Sequence, residues 1–165
     1  NISELGCLSL IADKQESNLR KVFVEEELFQ SKKLDAGDIV FMSRGSSLRA
    51  VIVREEDLQF DLLPSPNFLI IKAKSGLVLP EIIVAFLNSV LGQQVLDRLT
   101  TGAALKNVPV GKLKDIDFVL PTQESQDLLA ALFYKNIDAL KAIDELYLQQ
   151  EKTFQAALNQ LIGKQ

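Results

Sequence analysis

The sequence predicts an α+β chain: one globular domain over residues 1–121, then one long C-terminal coiled-coil helix over residues 122–165. Three observations carry that expectation. Up to Pro121 the chain is broken by seven glycines and five prolines, with short apolar runs between them, the texture of strands and turns. One amphipathic segment after Pro80 interrupts that texture with a helix. From Gln123 to Ile162 there is neither Gly nor Pro.

In order along the chain, residues 1–33 contain no motif with a defined chemistry. "KVFVEEELF" at 21–29 suits a strand by the alternation of Val22 and Val24, or a helix by its Glu run. "IVFM" at 39–42 and "AVIV" at 50–53 read as strands flanking a turn, "SRGSSLR". "FLIIK" at 68–72 and "IDFVL" at 116–120 also read as strands. Pro80 fits a first helical turn and Glu81 its positive dipole end. Ile83, Phe86, Leu87, Val90 and Leu91 then recur at helical spacing, with Val95 and Leu99 beyond, and Gly102 fits the stop.

After Pro121, Thr122 suits an N-cap, Glu124 the first turn and Gly163 the stop. A 40-residue helix is ~60 Å long, far beyond the usual ~11–12 residues. Leu129, Phe133, Asn136, Leu140, Ile143, Tyr147, Gln150, Phe154, Ala157 and Leu161 recur in alternating steps of four and three, a heptad seam. Leu128, Leu132, Ile137, Leu146 and Leu158 widen it. Such a stripe needs a partner helix, and the chain has no second one, so dimerisation is expected. Folding back on the globular domain is the competing expectation. An antiparallel pair centred near residue 145 would set Phe133 against Ala157, Ile143 against Tyr147 and Leu129 against Leu161. A parallel pair would stack Asn136 on Asn136.

Composition excludes several classes. There is no histidine, so the commonest general base and metal ligand are missing and no Ser-His-Asp triad exists within the chain. No GxxxxGK[ST] or GxGxxG occurs. These absences point away from an enzyme. Cys7, the one cysteine, lies in an apolar run and reads as a buried thiol in a cytoplasmic protein. No apolar run reaches the ~18 residues of a membrane span. The net charge is −4, unusual for a nucleic-acid binder, so any polyanion site must be a local patch.

The turn at 43–49 is the strongest candidate for such a patch. Gly45 permits close backbone approach, and Ser43, Arg44, Ser46, Ser47 and Arg49 can donate to phosphate oxygens. Arginine can also bind guanine O6 and N7, and Asn107 or Asn67 can read adenine, though Asn also serves turn backbones. Lys32, Lys33, the pair Arg20–Lys21, and Lys106 are further candidates for phosphate. A solvated turn with incidental charges is the plain alternative. The acidic runs at 25–27 and 55–57 are expected to face away from phosphate.

Three stretches together resemble one family. "LDAGDIVFMSRGS" resembles the GD-containing stretch in target-recognition domains of type I restriction–modification specificity subunits. "LVLPEIIVAFLNSVLGQQVL" resembles their Pro-led helix with its Leu-Asn-Ser triplet and Gly-Gln pair. "TGAALKNVPVGKLKDIDFVLPTQESQ" resembles the stretch leading into their long helix. The likeness covers about residues 34–165, in the family's order. Pro121–Thr122 replaces the family's doubled proline, and Ser125–Gln126 its Glu-Gln. The usual subunit has two recognition domains and two long helices; this chain has one of each, a half-size subunit or a fragment.

The resemblance implies a non-catalytic subunit whose domain reads one half of a split site in double-stranded DNA. The helix would pair with a second copy, or with a second specificity half, and set the half-site spacing. Partners would be an adenine methyltransferase subunit and a restriction/translocase subunit. This chain would hold no cofactor; S-adenosylmethionine would sit in the methyltransferase. The rival is a coiled-coil module that binds protein and not DNA.

Overall fold

Alternation in "IVFM" puts Ile39 and Phe41 on one face of a strand and Val40 and Met42 on the other. Both faces are apolar, so the strand needs cover on both sides, and the fold supplies it. The computed structural model describes residues 11–12, 16–17, 22–101 and 105–162. Its elements are β1 (Ile11–Ala12), β2 (Glu16–Ser17), α1 (Glu26–Lys32), β3 (Ile39–Met42), β4 (Arg44–Gly45), β5 (Ala50–Ile52), β6 (Phe68–Ile71), α2 (Pro80–Asn88), α3 (Val90–Leu99), β7 (Lys106–Asn107), α4 (Val110–Lys114) and α5 (Gln123–Ile162). The chain is thus mixed α+β, with a small sheet and a long C-terminal helix.

The main sheet has the order β5-β3-β6, all antiparallel. Val40 faces Val51 on one side and Ile70 on the other. Ile39, Phe41, Ala50 and Ile52 pack with Val84 and Leu87 of α2, Leu96 of α3 and Val108. The opposite face sets Val40, Val51 and Val53 under Leu34 and Leu62. β1 and β2 pair separately, Ile11 with Ser17.

The Gly37–Asp38 pair has a clear physical role. Gly37 sits at φ 87°, a conformation that favours glycine, and its N–H donates to Val53 O (2.8 Å). The buried Asp38 carboxylate accepts the Asp35 N–H (3.1 Å) and pairs with Lys72 Nζ (2.9 Å). That contact holds the Lys72 ammonium above its usual pKa.

Two expectations need correction, and one open alternative resolves to a helix. The segment after Pro80 is two helices, α2 and α3, bent by 73° at Ser89. Ser89 is extended there; its hydroxyl accepts the Gly92 N–H (3.0 Å), capping a new helix. "IDFVL" at 116–120 forms no strand; Ile116 packs on the core and Phe118 stacks on Phe86 at 4.8 Å, while Val119 is exposed. In "KVFVEEELF", residues 22–25 are irregular and the helix begins at Glu26. Cys7, Arg20, Lys21, Gly102 and Gly163 lie outside the described residues.

α5 spans the expected 40 residues, but its first half belongs to the domain's packing. Gln126 and Ile137 are buried and Phe133 packs against the core, so the apolar interior crosses the expected boundary at Pro121. Phe133 therefore packs, partly buried, against the domain's core. No single helix among the described residues is long and apolar enough to cross a membrane.

Candidate nucleic-acid interface

The turn after β3 does more than join two strands. Arg44 and Gly45 form β4, which pairs with β7 in the register Arg44↔Asn107 and Gly45↔Lys106. Two loops 60 residues apart in sequence thus become one structure. Asn67 O is the hub, accepting Ser43 N–H (3.0 Å), Arg44 N–H (3.3 Å) and Ser43 Oγ–H (3.2 Å). The Val108 N–H donates to Ser43 O (2.9 Å), and the Thr101 N–H to Asn107 O (3.0 Å). Ser43, Arg44, Gly45, Asn67, Lys106 and Asn107 therefore meet at one end of the sheet.

Their side chains differ in freedom. Arg44 is exposed, and its Nε donates to Asn107 Oδ1 (3.3 Å). That leaves the two terminal guanidinium nitrogens and the Asn107 amide nitrogen for other partners. Lys106 Nζ is paired with Asp97 at 2.5 Å, which offsets its charge. Ser46 and Ser47 are exposed, and Arg49 is half-buried opposite Met42, whose N–H donates to its carbonyl (2.8 Å). Asn67 gives its backbone carbonyl to this hub, and its side chain is exposed.

Lys32 and Lys33 do not join this group. Lys33 approaches Asp35 at 4.0 Å, beside the Asp38–Lys72 pair that precedes β3. The length of β3, ~10 Å, separates them from Arg44. Glu55–Asp57 follows β5 at that same far end, so this acidic run is remote from the Arg44 group. The Glu25–Glu27 run is exposed at the start of α1.

The residues that hold the loop in place carried no assigned role in the sequence. The Asn88 side chain mimics a neighbouring strand: it accepts the Ala50 N–H (2.9 Å) and donates to Ala50 O (2.8 Å). Gln93 Nε2 donates to Leu48 O (2.8 Å) and Leu87 O (2.7 Å). Leu48 is buried in the core. The signal was present: "LNSVLGQQ" places both amides at the α2–α3 break. A Cβ on Gly92 would lie 1.9 Å from Phe86 O, so the break also requires glycine there.

α5 is docked by a second polar set. Gln126 Oε1 accepts the Leu79 N–H (2.9 Å), and Nε2 donates to Leu77 O and Pro121 O (3.2 Å each). Tyr134 OH donates to Glu81 (2.6 Å), and Lys141 pairs with Glu56 (3.6 Å). Burial, with the Glu81 carboxylate, pushes the Tyr134 phenol up to about 12.

Beyond these contacts the seam residues are open. Leu129, Ile143, Tyr147, Phe154 and Leu161 are exposed, as are Leu128, Leu132 and Leu146. At ~100° per residue they form one stripe, roughly 100° around the helix from Gln126, Phe133 and Ile137. Asn136, Gln150 and Ala157 are exposed on the same stripe, and Leu140 is half-buried at its border with the domain. A separate apolar cavity of about 350 Å³ lies between β6, α2, α4 and residues 116–118, with Lys114 its one charged lining residue. No group of acidic or thiol side chains among the described residues could hold a metal ion.

No family model matches this chain, and no curated protein matches it either.

Proposed function

We propose that this chain reads DNA sequence for a type I restriction–modification complex, as a non-catalytic specificity subunit carrying one recognition domain. The observation that carries the reading is the convergence of Arg44, Asn107 and Lys106 from two loops, with the Glu55–Asp57 run at the other end of the sheet. Asn107 holds the Arg44 Nε, which orients the remaining two guanidinium nitrogens as a fork. Such a fork matches guanine O6 and N7, at ~1–3 kcal/mol of discrimination. Ser46 and Ser47 supply phosphate donors beside it.

The exposed stripe of α5 supports a twofold pair. In an antiparallel pair centred near residue 145, Ile143 meets Tyr147, Asn136 meets Phe154 and Leu129 meets Leu161. The domains dock around residue 133, so their centres lie 24 residues apart along the helices, ~36 Å. That is about one turn of B-DNA, which puts both readers on one face of the duplex. An adenine methyltransferase subunit, with its S-adenosylmethionine, and a restriction/translocase subunit complete the reading.

Selection from duplexes with two randomised half-sites and varied spacing tests this. The expected product is a split, symmetric motif with half-site centres about one turn apart, bound less tightly as salt rises. Arg44→Ala should relax one position of each half-site. A pool that stays random at every spacing would refute the reading.

The charge balance favours a protein-binding module instead. The net charge is −4 and Lys106 is already paired with Asp97, so the loop cluster offers few uncompensated cations. A protein-binding module of this kind would associate through α5 and ignore salt.

A further inference from the structure

α5 is gripped on one flank and open on the other. Gln126, Phe133 and Ile137 form the buried strip. Tyr134 and Lys141, one heptad apart, lie roughly 60–80° to one side of it. The uncovered apolar stripe lies roughly 100° to the other side. Tyr134 reaches Glu81 on α2 (2.6 Å), and Lys141 reaches Glu56 after β5 (3.6 Å). Glu56 is itself held by Arg54, which also grips the buried Asp57 (3.4 Å). After Lys141, residues 142–157 are all exposed.

A round helix seated on an apolar strip resists sliding away but resists rolling and tilting poorly, because side-chain packing tolerates small rotations. Two polar grips on one flank remove that freedom. Exposed ion pairs contribute little to stability, so their consequence here is geometric. From Lys141 to Ile162 the helix runs ~31 Å, and a tilt of about 10° at the grip moves its far end by ~5 Å. A roll turns the free stripe relative to the Arg44 end of the sheet.

We propose that Glu81 and Glu56, through Tyr134 and Lys141, are positioning residues that fix the direction in which α5 leaves the domain, and so set the spacing at which a paired chain reads its two half-sites. The spacing consequence rests on the DNA-reading proposal; the positioning itself does not.

The test uses the full chain with Cys7→Ser and spin labels at Ser75→Cys and Gln160→Cys, both exposed or polar positions away from the stripe. Labelled protein is diluted with unlabelled protein, so that only distances within one chain are read. The parent should give one narrow distance distribution. Glu56→Ala combined with Glu81→Ala should shift its mean by ~5 Å or broaden it by that amount, with helical circular dichroism unchanged. A distribution identical to the parent's overturns the positioning role. In the duplex selection, the double variant should keep the half-site sequence while accepting adjacent spacings that the parent rejects. An unchanged spacing preference overturns the spacing consequence. If the parent selects no duplex at all, the DNA-reading proposal fails, and the distance distributions still decide whether these carboxylates position the helix.

Discussion

Replacing Gln126 with leucine should undock α5 from the domain. Gln126 is 2% exposed, and its side-chain amide makes three hydrogen bonds, to Leu79 N–H, Leu77 O and Pro121 O. Leucine fills much of the same space but can make none of them. At ~0.5–1.5 kcal/mol net per bond, the loss is about 3 kcal/mol. Most of it comes from Leu79, whose N–H has no other partner once the amide is gone; Leu77 is half-exposed, so its carbonyl can recover a water. With a urea m-value of ~2 kcal/mol/M, the midpoint should fall by ~1.5 M. Circular dichroism at fixed protein concentration measures this, because self-association would otherwise shift the midpoint. Gln126→Glu gives an independent signature. Its carboxylate still accepts from Leu79 but faces two carbonyl oxygens, so burial and repulsion raise its pKa. Such a group favours the folded state when protonated, so the variant's deficit should shrink as pH falls. A loss below ~1 kcal/mol for Gln126→Leu, at unchanged m, would refute the assignment of Gln126 as the anchor.

Gly92→Ala should cost more than ~3 kcal/mol or prevent folding, since its Cβ would sit 1.9 Å from the Phe86 carbonyl oxygen; a melting temperature within a few degrees of the parent's would contradict the close approach. Asn88→Ala strips both partners from Ala50 and should cost ~2 kcal/mol, visible as faster hydrogen exchange at the Ala50 amide, and unchanged protection would remove Asn88 as the strand mimic. In a Tyr147→Phe background, absorbance should show Tyr134 ionising at about 12. Because the folded state favours the protonated phenol, its contribution to stability is intact below ~10 and is lost as pH rises toward that value; titration at the ordinary phenol pKa would mean that the burial and the Glu81 contact are absent.

Much of the fold is readable from the chain. The strands at 39–42 and 68–71 follow from their apolar runs, and α5 from its freedom from Gly and Pro. The failures share a cause. Ser89 reads as helix interior because its apolar neighbours keep helical spacing; only the cap on Gly92 and the Gly92–Phe86 approach reveal the break. Residues 116–120 alternate like a strand, yet Ile116 and Phe118 bury themselves against α2 and the core without a ladder. Heptad spacing marks α5 as two-faced but does not say which face the domain takes; Phe133 went inward because the neighbouring Gln126 and Ile137 share its side. The loop cluster was half legible. Arg44 and Asn107 stand out as residue types, but their pairing across 63 positions is a property of the β4–β7 ladder. Lys32 and Lys33 read as further phosphate candidates, and β3 places them at its other end.

The central proposal is that this chain directs sequence choice, and a methylome tests it most directly. The chain would be co-expressed with the adenine methyltransferase subunit it is proposed to guide, and modified adenines mapped across the host DNA with and without it. The account predicts a symmetric, split motif that appears only with the chain and degrades with Arg44→Ala. No new methylation, in cells where the complex is shown to form, would contradict it.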